Sequence, residues 1–176
     1  MMMSLMSTAM KTKGKRILGI DPGLARCGWA VVAPGGQSAE LLAADCITTP
    51  AKQPESQRLA RLYGQLQTVI ARWHPEAMAI EELFFSRNVS TAMAVGQARG
   101  VALLAAAQTG IPVREFSPTT VKQTVTGYGR ADKRQVETMI KLFLRIKTMP
   151  KHDDTVDAIA VALCGLHQPT WATSRS

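Results

Sequence analysis

Four carboxylate residues stand beside or inside apolar runs in three separate parts of the chain. Asp21 ends RILGID, Glu81 ends AMAIE, and Asp154 and Asp157 lie at the start of DDTVDAIAVAL. A charge against a hydrophobic segment is costly unless it is paired or bound to a metal. Carboxylate oxygens are preferred Mg²⁺ ligands, and two ions roughly 4 Å apart can activate a water and neutralise a leaving oxygen. The pattern therefore indicates a divalent-metal site for phosphodiester hydrolysis.

Each acid also has a purely structural interpretation. Asp21 precedes Pro-Gly and can form a turn, Glu81 can belong to a solvated strand end, and Asp154 can cap a helix. Asp157 is harder to explain in this way, because AIAVAL follows it. The i, i+3 spacing puts Asp154 and Asp157 on one helix face, in a first turn where the helix dipole favours anions. The joint pattern is therefore more informative than any single acid.

The rest of the chain is basic, with 21 Lys and Arg against 13 Asp and Glu and a formal net charge of +8. This balance favours a nucleic acid or another anionic surface as partner, and charge for solubility is the alternative. The three cysteines form no C-x-x-C pair, which argues against a zinc site and fits a reducing cytoplasm. The longest uncharged apolar stretch, GVALLAAAQTGIPV, is interrupted by Gly and Pro. We therefore expect a cytoplasmic protein without a membrane partner.

Local patterns predict one α/β domain over residues 16–168, after a disordered extension at 1–15 and before a tail at 169–176. Strands at 16–21, 28–33 and 39–48 should form an antiparallel meander. Further strands are expected at 77–81 and 112–116, and helices at 57–73 and 88–108. Three more helices should follow the caps Ser117, Asp132 and Asp153 and end near residues 126, 144 and 168. This order predicts a mixed five-stranded sheet with helices on both faces, and ligands at its strand ends.

Four segments resemble successive motifs of the RuvC family, the bacterial Holliday-junction endonucleases. They are LGIDPGLARCGWAVV, AIEELFFSRNVSTAMAVGQARGVALLAAA, TTVKQTVTGYGRADKRQV and HDDTVDAIAVALCGLH, and together they cover most of residues 16–167. The resemblance implies a ribonuclease-H-like fold, which agrees with the order of elements above. It also implies a metal-dependent endonuclease that cuts four-way DNA junctions by paired symmetric incisions, during recombination and DNA repair. The water would be metal-activated, with no covalent intermediate.

By position, the family's acids fall on Asp21, Glu81, Asp154 and Asp157. The resemblance makes them the catalytic residues and the ligands of Mg²⁺ or Mn²⁺, with two ions per site. The duplicated acid before Asp154 leaves a choice, which the i, i+3 spacing to Asp157 decides in favour of Asp154. His152 lies next to these acids and can tune the site or carry a proton, although a lone histidine is more often neither.

The resemblance also assigns residues that contact DNA. The family's loop aromatic falls on Phe84, with Phe85 as a second aromatic; one can stack on an unpaired base and the other can belong to the core. Its basic residues near the cleaved strand fall on Lys122 and Lys133. Lys133 can contact the scissile phosphate or stabilise transition-state charge, or it can be a solvated surface lysine. Other candidates for phosphate contacts are Arg87, Arg99, Arg114, Arg130 and Arg134.

The segment STAMAVGQARGVALLAAA is rich in small residues, with Gly96 and Gly100 one turn apart. A junction has two equivalent strands, which a two-fold dimer matches. The family is dimeric, so this helix is the candidate dimer contact, and a core helix is the alternative. The resemblance further implies a branch-migration motor, formed by RuvA and RuvB, as a partner.

Three other functions remain open from the sequence. The first is a catalytically inactive junction-binding protein, although the presence of all four acids argues against it. The second is a related ribonuclease-H-like nuclease with another substrate, such as an RNA·DNA hybrid. The third is an actin-like or hexokinase-like ATPase, whose first strand also reads I-D-x-G; such proteins need two lobes, and 176 residues hold one.

Overall fold

The computed structural model describes residues 15–36, 38–82 and 89–167. The predicted tail and all but residue 15 of the predicted extension lie outside these ranges. In the described residues, the elements follow one another as β1 Ile17–Asp21, β2 Arg26–Gly35, β3 Ser38–Thr48, α1 Glu55–Trp73, β4 Ala77–Glu81, α2 Val89–Thr109, β5 Val113–Phe116, α3 Pro118–Thr126, α4 Lys133–Leu144 and α5 Asp153–Leu166.

The strands form a mixed sheet in the order β3-β2-β1-β4-β5. β1, β2 and β3 are the predicted antiparallel meander, while β4 runs parallel to both β1 and β5. Ile20 of β1 pairs with Ile80 of β4, so Asp21 and Glu81, which follow them, lie at the same end of the sheet. The prediction of a mixed five-stranded sheet is confirmed, and the register already brings Asp21 next to Glu81.

Each face of the sheet carries its own apolar core. On one face, Leu18, Ile20, Met78 and Ile80 are completely buried beneath α1 and α2. On the other face, the alternate strand residues pack against α3, α4 and α5. Full burial of one such aliphatic side chain stabilises the fold by about 1.5–3 kcal/mol. Helices on both faces are therefore also confirmed, and the two cores fix the sheet between them.

Helix α5 is the central helix of the second face, and its residues from Thr155 to Gly165 are buried apart from Asp157. It crosses β1, β2 and β4, and most of its side chains are small. Gly19 of β1 makes this crossing close, because a Cβ atom there would lie 2.2 Å from the carbonyl oxygen of Ala158. A helix that is apolar on all sides belongs in a core. Its only charged residues are the three acids near its N-terminal end, which it brings to the end of the sheet.

The predicted helix caps are right in two cases and wrong in one. The Ser117 hydroxyl accepts a hydrogen bond from the Thr120 amide, and Asp132 forms a reciprocal capping box with Gln135. Asp153 does not cap α5: His152 occupies that position without a side-chain cap bond, and Asp153 is the first helical residue. The Asp153 carboxylate instead pairs with Lys133. Asp157 also lies beyond the first turn, so the helix dipole favours it less than expected.

Helix α2 has the predicted length, and its bounds are shifted by one residue. The helix is 21 residues long and has a mean hydropathy of 1.3, so by length and composition alone it could span a membrane. A search for uncharged apolar runs misses it, because Arg99 interrupts the apolar sequence. Among the described residues it alone meets this criterion, and one such helix is weak support for a span. Its buried residues are all alanines, which pack on the first face.

Candidate active site

Asp21 and Glu81 meet at the end of two parallel strands. They follow Ile20 and Ile80, which are paired in the sheet. The Asp21 and Glu81 carboxyl groups are hydrogen-bonded to each other, an arrangement in which the two groups share one proton. Because both strand ends belong to a rigid sheet with a core on each face, the two carboxyl groups have little freedom to separate.

The first turns of α5 bring the other two acids to the same place. Gly28 of β2 is paired with Asp21, and a Cβ atom on Gly28 would lie 1.8 Å from the carbonyl oxygen of Asp154. The backbone of β2 therefore touches the backbone of α5 at Gly28, and only glycine permits so close an approach. As a result, the carboxyl groups of Asp154 and Asp157 come close enough to Asp21 to perturb its ionisation.

The crowding of these acids appears in their pKa values. Burial, then the charges of Glu81, Asp157 and Asp154, raise the pKa of Asp21 to about 8. Burial and the charge of Asp157 raise the pKa of Glu81, while the Asp21 hydrogen bond and Lys122 oppose that rise. Asp157 is exposed, yet the protein around it still desolvates its carboxyl and raises its pKa, against the pull of Lys133. Such a group of carboxylates has to bind protons or cations.

Two cationic side chains already compensate part of this charge. Arg26 Nε lies 3.0 Å from Asp154 Oδ2, and Lys133 Nζ lies 2.5 Å from Asp153 Oδ2. The Arg26–Asp154 contact is an ion pair without hydrogen-bond geometry, so Asp154 Oδ2 is a buried oxygen with no hydrogen bond within the described residues. The Arg26 side chain is 60% exposed. Exposed ion pairs contribute only about 0–1 kcal/mol, so Arg26 holds Asp154 weakly.

A cleft of about 160 Å³ opens beside the acids and contains both predicted lysines. Glu81, Asp157, Lys122 and Lys133 line it together with apolar residues of α3, α4 and α5. The capped starts of α3 and α4 position the lysines, since Lys122 lies one turn into α3 and Lys133 is the first residue of α4. An anionic group entering this cleft would meet two ammonium groups beside the carboxylates.

The remaining predicted DNA contacts lie apart from this cleft or outside the described residues. Arg130 is exposed in the connection between α3 and α4, and Arg134 lines a separate surface cavity with Tyr128. Arg99 is paired with Glu115. Phe84, Phe85 and Arg87 fall in the segment 83–88, which lies outside the described residues.

The carboxylate side chains of the site are suited to a divalent cation, although three of them already have other partners. Within residues 15–36, 38–82 and 89–167, no three metal-ligating side chains converge on one point. Asp21 and Glu81 are hydrogen-bonded to each other, and Asp154 is paired with Arg26. Nevertheless the donors are all carboxylate oxygens, one of them is buried without a hydrogen bond, and burial together with the neighbouring carboxylates raises the pKa of Asp21. A hard divalent cation prefers oxygen donors of this kind.

The sequence interpretation missed Gly28 and two arginines, Arg26 and Arg58. All three lie near Asp154, Gly28 by backbone contact and the arginines around a cavity that Asp154 also lines. The predicted β1–β2 hairpin carried a usable signal for Arg26, because it brings the residues just before Gly28 close to the end of β1. Nothing local in the sequence indicates Arg58, because it belongs to α1 and is far from Asp154 along the chain.

Comparison with known proteins agrees with the motifs. The family model described as "Crossover junction endodeoxyribonuclease RuvC" matches residues 17–165. The protein of that name from Chloroflexus aggregans is 54% identical over 149 residues, which cover 85% of this chain and 91% of the relative. That from Heliobacterium modesticaldum is 48% identical over 158 residues, covering 90% of this chain and 98% of the relative.

Solved structures give the same result for the fold. The RuvC of Thermus thermophilus in complex with Holliday junction substrate superposes with a TM-score of 0.82 at 38% identity, covering 85% of this chain and 92% of that one. The yeast mitochondrial Holliday junction resolvase superposes with a TM-score of 0.62 at 14% identity, covering 87% and 79%, and shows the fold alone. The predicted ribonuclease-H-like fold is thereby confirmed.

Proposed function

This chain belongs to the RuvC family of crossover junction endodeoxyribonucleases, and on that premise we propose that it resolves four-way DNA junctions by paired symmetric incisions in recombination and DNA repair. The observation that carries the proposal is that Glu81, Asp154 and Asp157 lie close enough to Asp21, at one end of the sheet, for their charges to raise its pKa. Two lysines stand beside them in a chain of net charge +8. An acidic centre within a basic protein suits a polyanionic substrate that is cut with the help of cations.

We assign the same four residues to the binding of Mg²⁺, two ions per site, with Mn²⁺ as the alternative. When bound, the ions would activate the attacking water and neutralise the leaving oxygen. The chain itself must release the proton shared by Asp21 and Glu81, and Asp154 must turn from Arg26. The raised pKa of Asp21 favours cation binding at higher pH, since its carboxyl then gives up its proton more readily.

Lys122 and Lys133 bind the phosphate that is cut. Asp153 holds the Lys133 ammonium at the cleft without burying it, and both side chains are exposed. A DNA phosphate can therefore replace Asp153 as its partner at little cost, and Lys133 then lies beside the charge that develops in the transition state. Phe84 follows Glu81 by three residues in the sequence. We assign it, or Phe85, to stacking on a base at the junction.

We also propose that the protein acts as a homodimer through helix α2. Among the described residues, five large apolar side chains are exposed, and Val89, Met93 and Leu104 all belong to this helix. Spacings of four and eleven residues put them on one face, and a side chain at Gly100 would have open space. We propose a cytoplasmic location as well, because the proposed substrate is the DNA of a bacterial cell. A branch-migration motor of the RuvA and RuvB type is its proposed partner.

Cutting of a synthetic four-way junction tests the function. We expect paired cuts at matching positions of two opposite strands in the presence of Mg²⁺ or Mn²⁺, with strand mapping as the readout. A linear duplex of the same sequence is the matched control and should remain intact. Preferential cutting of an RNA·DNA hybrid in competition would instead indicate a related nuclease, and binding without cutting would indicate an inactive junction-binding protein.

A further inference from the structure

A second cavity, lined by other residues than the lysine cleft, includes Asp154 in its wall. Its volume is about 380 Å³, and the turn after β1, the start of β2 and the first turns of α1 and α2 enclose it. Its charged lining residues are Arg26, Arg58 and Asp154, so two guanidinium groups face one carboxylate. Asp154 also belongs to the acidic cluster, which makes this cavity a neighbour of the proposed cutting site.

The two arginines are tied together by a buried threonine. Arg58 Nε donates a hydrogen bond to Thr49 Oγ1 at 2.9 Å, and the Thr49 hydroxyl in turn donates to the Leu24 carbonyl. The Thr49 amide donates to the Ala25 carbonyl at 3.1 Å. Thr49 is 6% exposed. The turn that carries Arg26 is thus fixed relative to Arg58, and the pair of cations is part of the fold.

Arg26 and Arg58 differ in how firmly they are held. The hydrogen bond to Thr49 orients the Arg58 guanidinium, whereas Arg26 is mostly exposed and faces Asp154 without hydrogen-bond geometry. A guanidinium binds a phosphate through two parallel hydrogen bonds, which is a better interaction than this ion pair. A phosphate entering the cavity therefore has one fixed donor and one that can exchange partners.

We propose that this cavity is a second phosphate-binding subsite for the DNA backbone, in which Arg58 is the fixed donor and Arg26 leaves Asp154 to bind the phosphate. The inference rests on the proposed function and extends it, because DNA binding would release Asp154 for a cation. Arg26 is then a positioning residue that makes cation binding depend on the presence of DNA. The ligand is a backbone phosphate next to the one that is cut.

Junction binding tests the subsite. The Asp21→Asn background keeps the DNA uncut, and Arg26→Gln and Arg58→Gln each remove one charge. Each variant should bind about ten-fold more weakly near 0.1 M salt, and the slope of log affinity against log salt should fall by about one. Arg58→Lys should restore the slope, since it keeps the charge. Arg72→Gln is the control, because Arg72 lies roughly 21 Å further along α1, and it should bind like the parent.

Cation binding without DNA tests the exchange of partners. Arg26→Gln should bind Mn²⁺ about two- to five-fold more tightly than the unmodified chain, because Asp154 loses its competing partner. Arg58→Gln should bind Mn²⁺ as the unmodified chain does. Unchanged salt slopes in both arginine variants would overturn the subsite, and an unchanged Mn²⁺ affinity in Arg26→Gln would overturn the exchange. Failure of the unmodified protein to cut junctions would count against the proposed function, which is a separate result.

Discussion

The carbonyl oxygen of Asp154 rests on Gly28, where a Cβ atom would lie 1.8 Å from it. Gly28 is also the residue that pairs with Asp21 across the β1–β2 ladder. One close contact between a strand and a helix thus sets the distance between an acid of the sheet and two acids of α5. The positions of the carboxylates therefore depend on Gly28, because any side chain at this position would push α5 away from the sheet.

Gly28→Ala should therefore damage the site and the fold together. The added methyl group meets backbone atoms of Asp154 and Thr155, which cannot rotate away, so α5 must shift. Overpacking of this kind costs about 1–3 kcal/mol, and we expect the upper part of that range here. Thermal unfolding measures the cost, and Mn²⁺ affinity measures the displacement of Asp154.

Gly64→Ala is the matched control for this substitution. Gly64 lies inside α1, and a Cβ atom there meets nothing within 4 Å. The change should stabilise the protein by up to about 1 kcal/mol through helix propensity and leave cutting unaltered. Equal stability and equal cation binding in Gly28→Ala and the unmodified chain would contradict the role given to this contact.

Asp21→Asn should stabilise the cation-free protein at alkaline pH. Burial and neighbouring carboxylates raise the Asp21 pKa to about 8 from an ordinary value of 3.8. An acid with a raised pKa favours folding fully below its unfolded-state pKa, and that contribution is lost as the pH rises through its folded-state pKa. Unfolding temperatures in the presence of a chelator should therefore differ most near pH 9 and converge near pH 4. The gain at high pH is on the order of 1–3 kcal/mol, because Asn removes the charge but keeps a buried polar group.

Added Mg²⁺ provides the corresponding check. It should stabilise the unmodified protein more at pH 8 than at pH 6, since proton loss from Asp21 accompanies binding. The Asn variant should show a smaller and flatter response. A stability difference between the two chains that does not change with pH would show that Asp21 ionises normally.

Lys133→Gln should slow cutting far more than it weakens junction binding. The ammonium lies in the cleft with Glu81 and Asp157 and is paired only with the exposed Asp153 among the ion pairs of the described residues. Loss of one donor to transition-state charge typically reduces kcat by about 10²–10³. Asp153→Asn is the control that removes the partner but keeps the lysine, and its cutting rate should be close to normal. Single-turnover kinetics with saturating protein separate the two effects.

Leu104→Arg should disrupt the proposed dimer. Leu104 is 51% exposed on α2, on the same face as Val89 and Met93, and a buried unpaired charge would oppose self-association. Leu142→Arg is the control, because Leu142 is 65% exposed on α4. Sedimentation should show monomers for the first variant and an unchanged dimer for the second. Identical behaviour of the two variants would place the contact elsewhere.

Most of the fold was predictable because local patterns dictate it. The bounds of β4 and α3 are as predicted, and the meander, the mixed sheet and the helices on both faces are confirmed. The prediction of Asp153 as a cap failed, because local propensity says nothing of Lys133, a distant residue that binds its side chain. Propensity depends on neighbours along the chain, whereas the Asp153 carboxylate is positioned by Lys133, which is distant in sequence.

The sequence predicted which acids belong to the cluster, but it did not predict their hydrogen bonds and ion pairs. Motif positions pointed to the four acids, and strand order put Asp21 next to Glu81. Their proton sharing and the pairing of Arg26 with Asp154 depend on burial and side-chain distances, which no spacing encodes. Gly28 was missed for a similar reason, since a close approach is visible only when the helix is in place.

Cutting of a synthetic four-way junction by Asp21→Asn, under single-turnover conditions with Mg²⁺, tests the central role of the clustered acids most directly. The variant should bind the junction at least as tightly as the unmodified protein, because it removes a negative charge, while its cutting rate falls by at least about 10³-fold. Paired cuts at the unmodified rate would contradict the assignment of Asp21 to the cutting site.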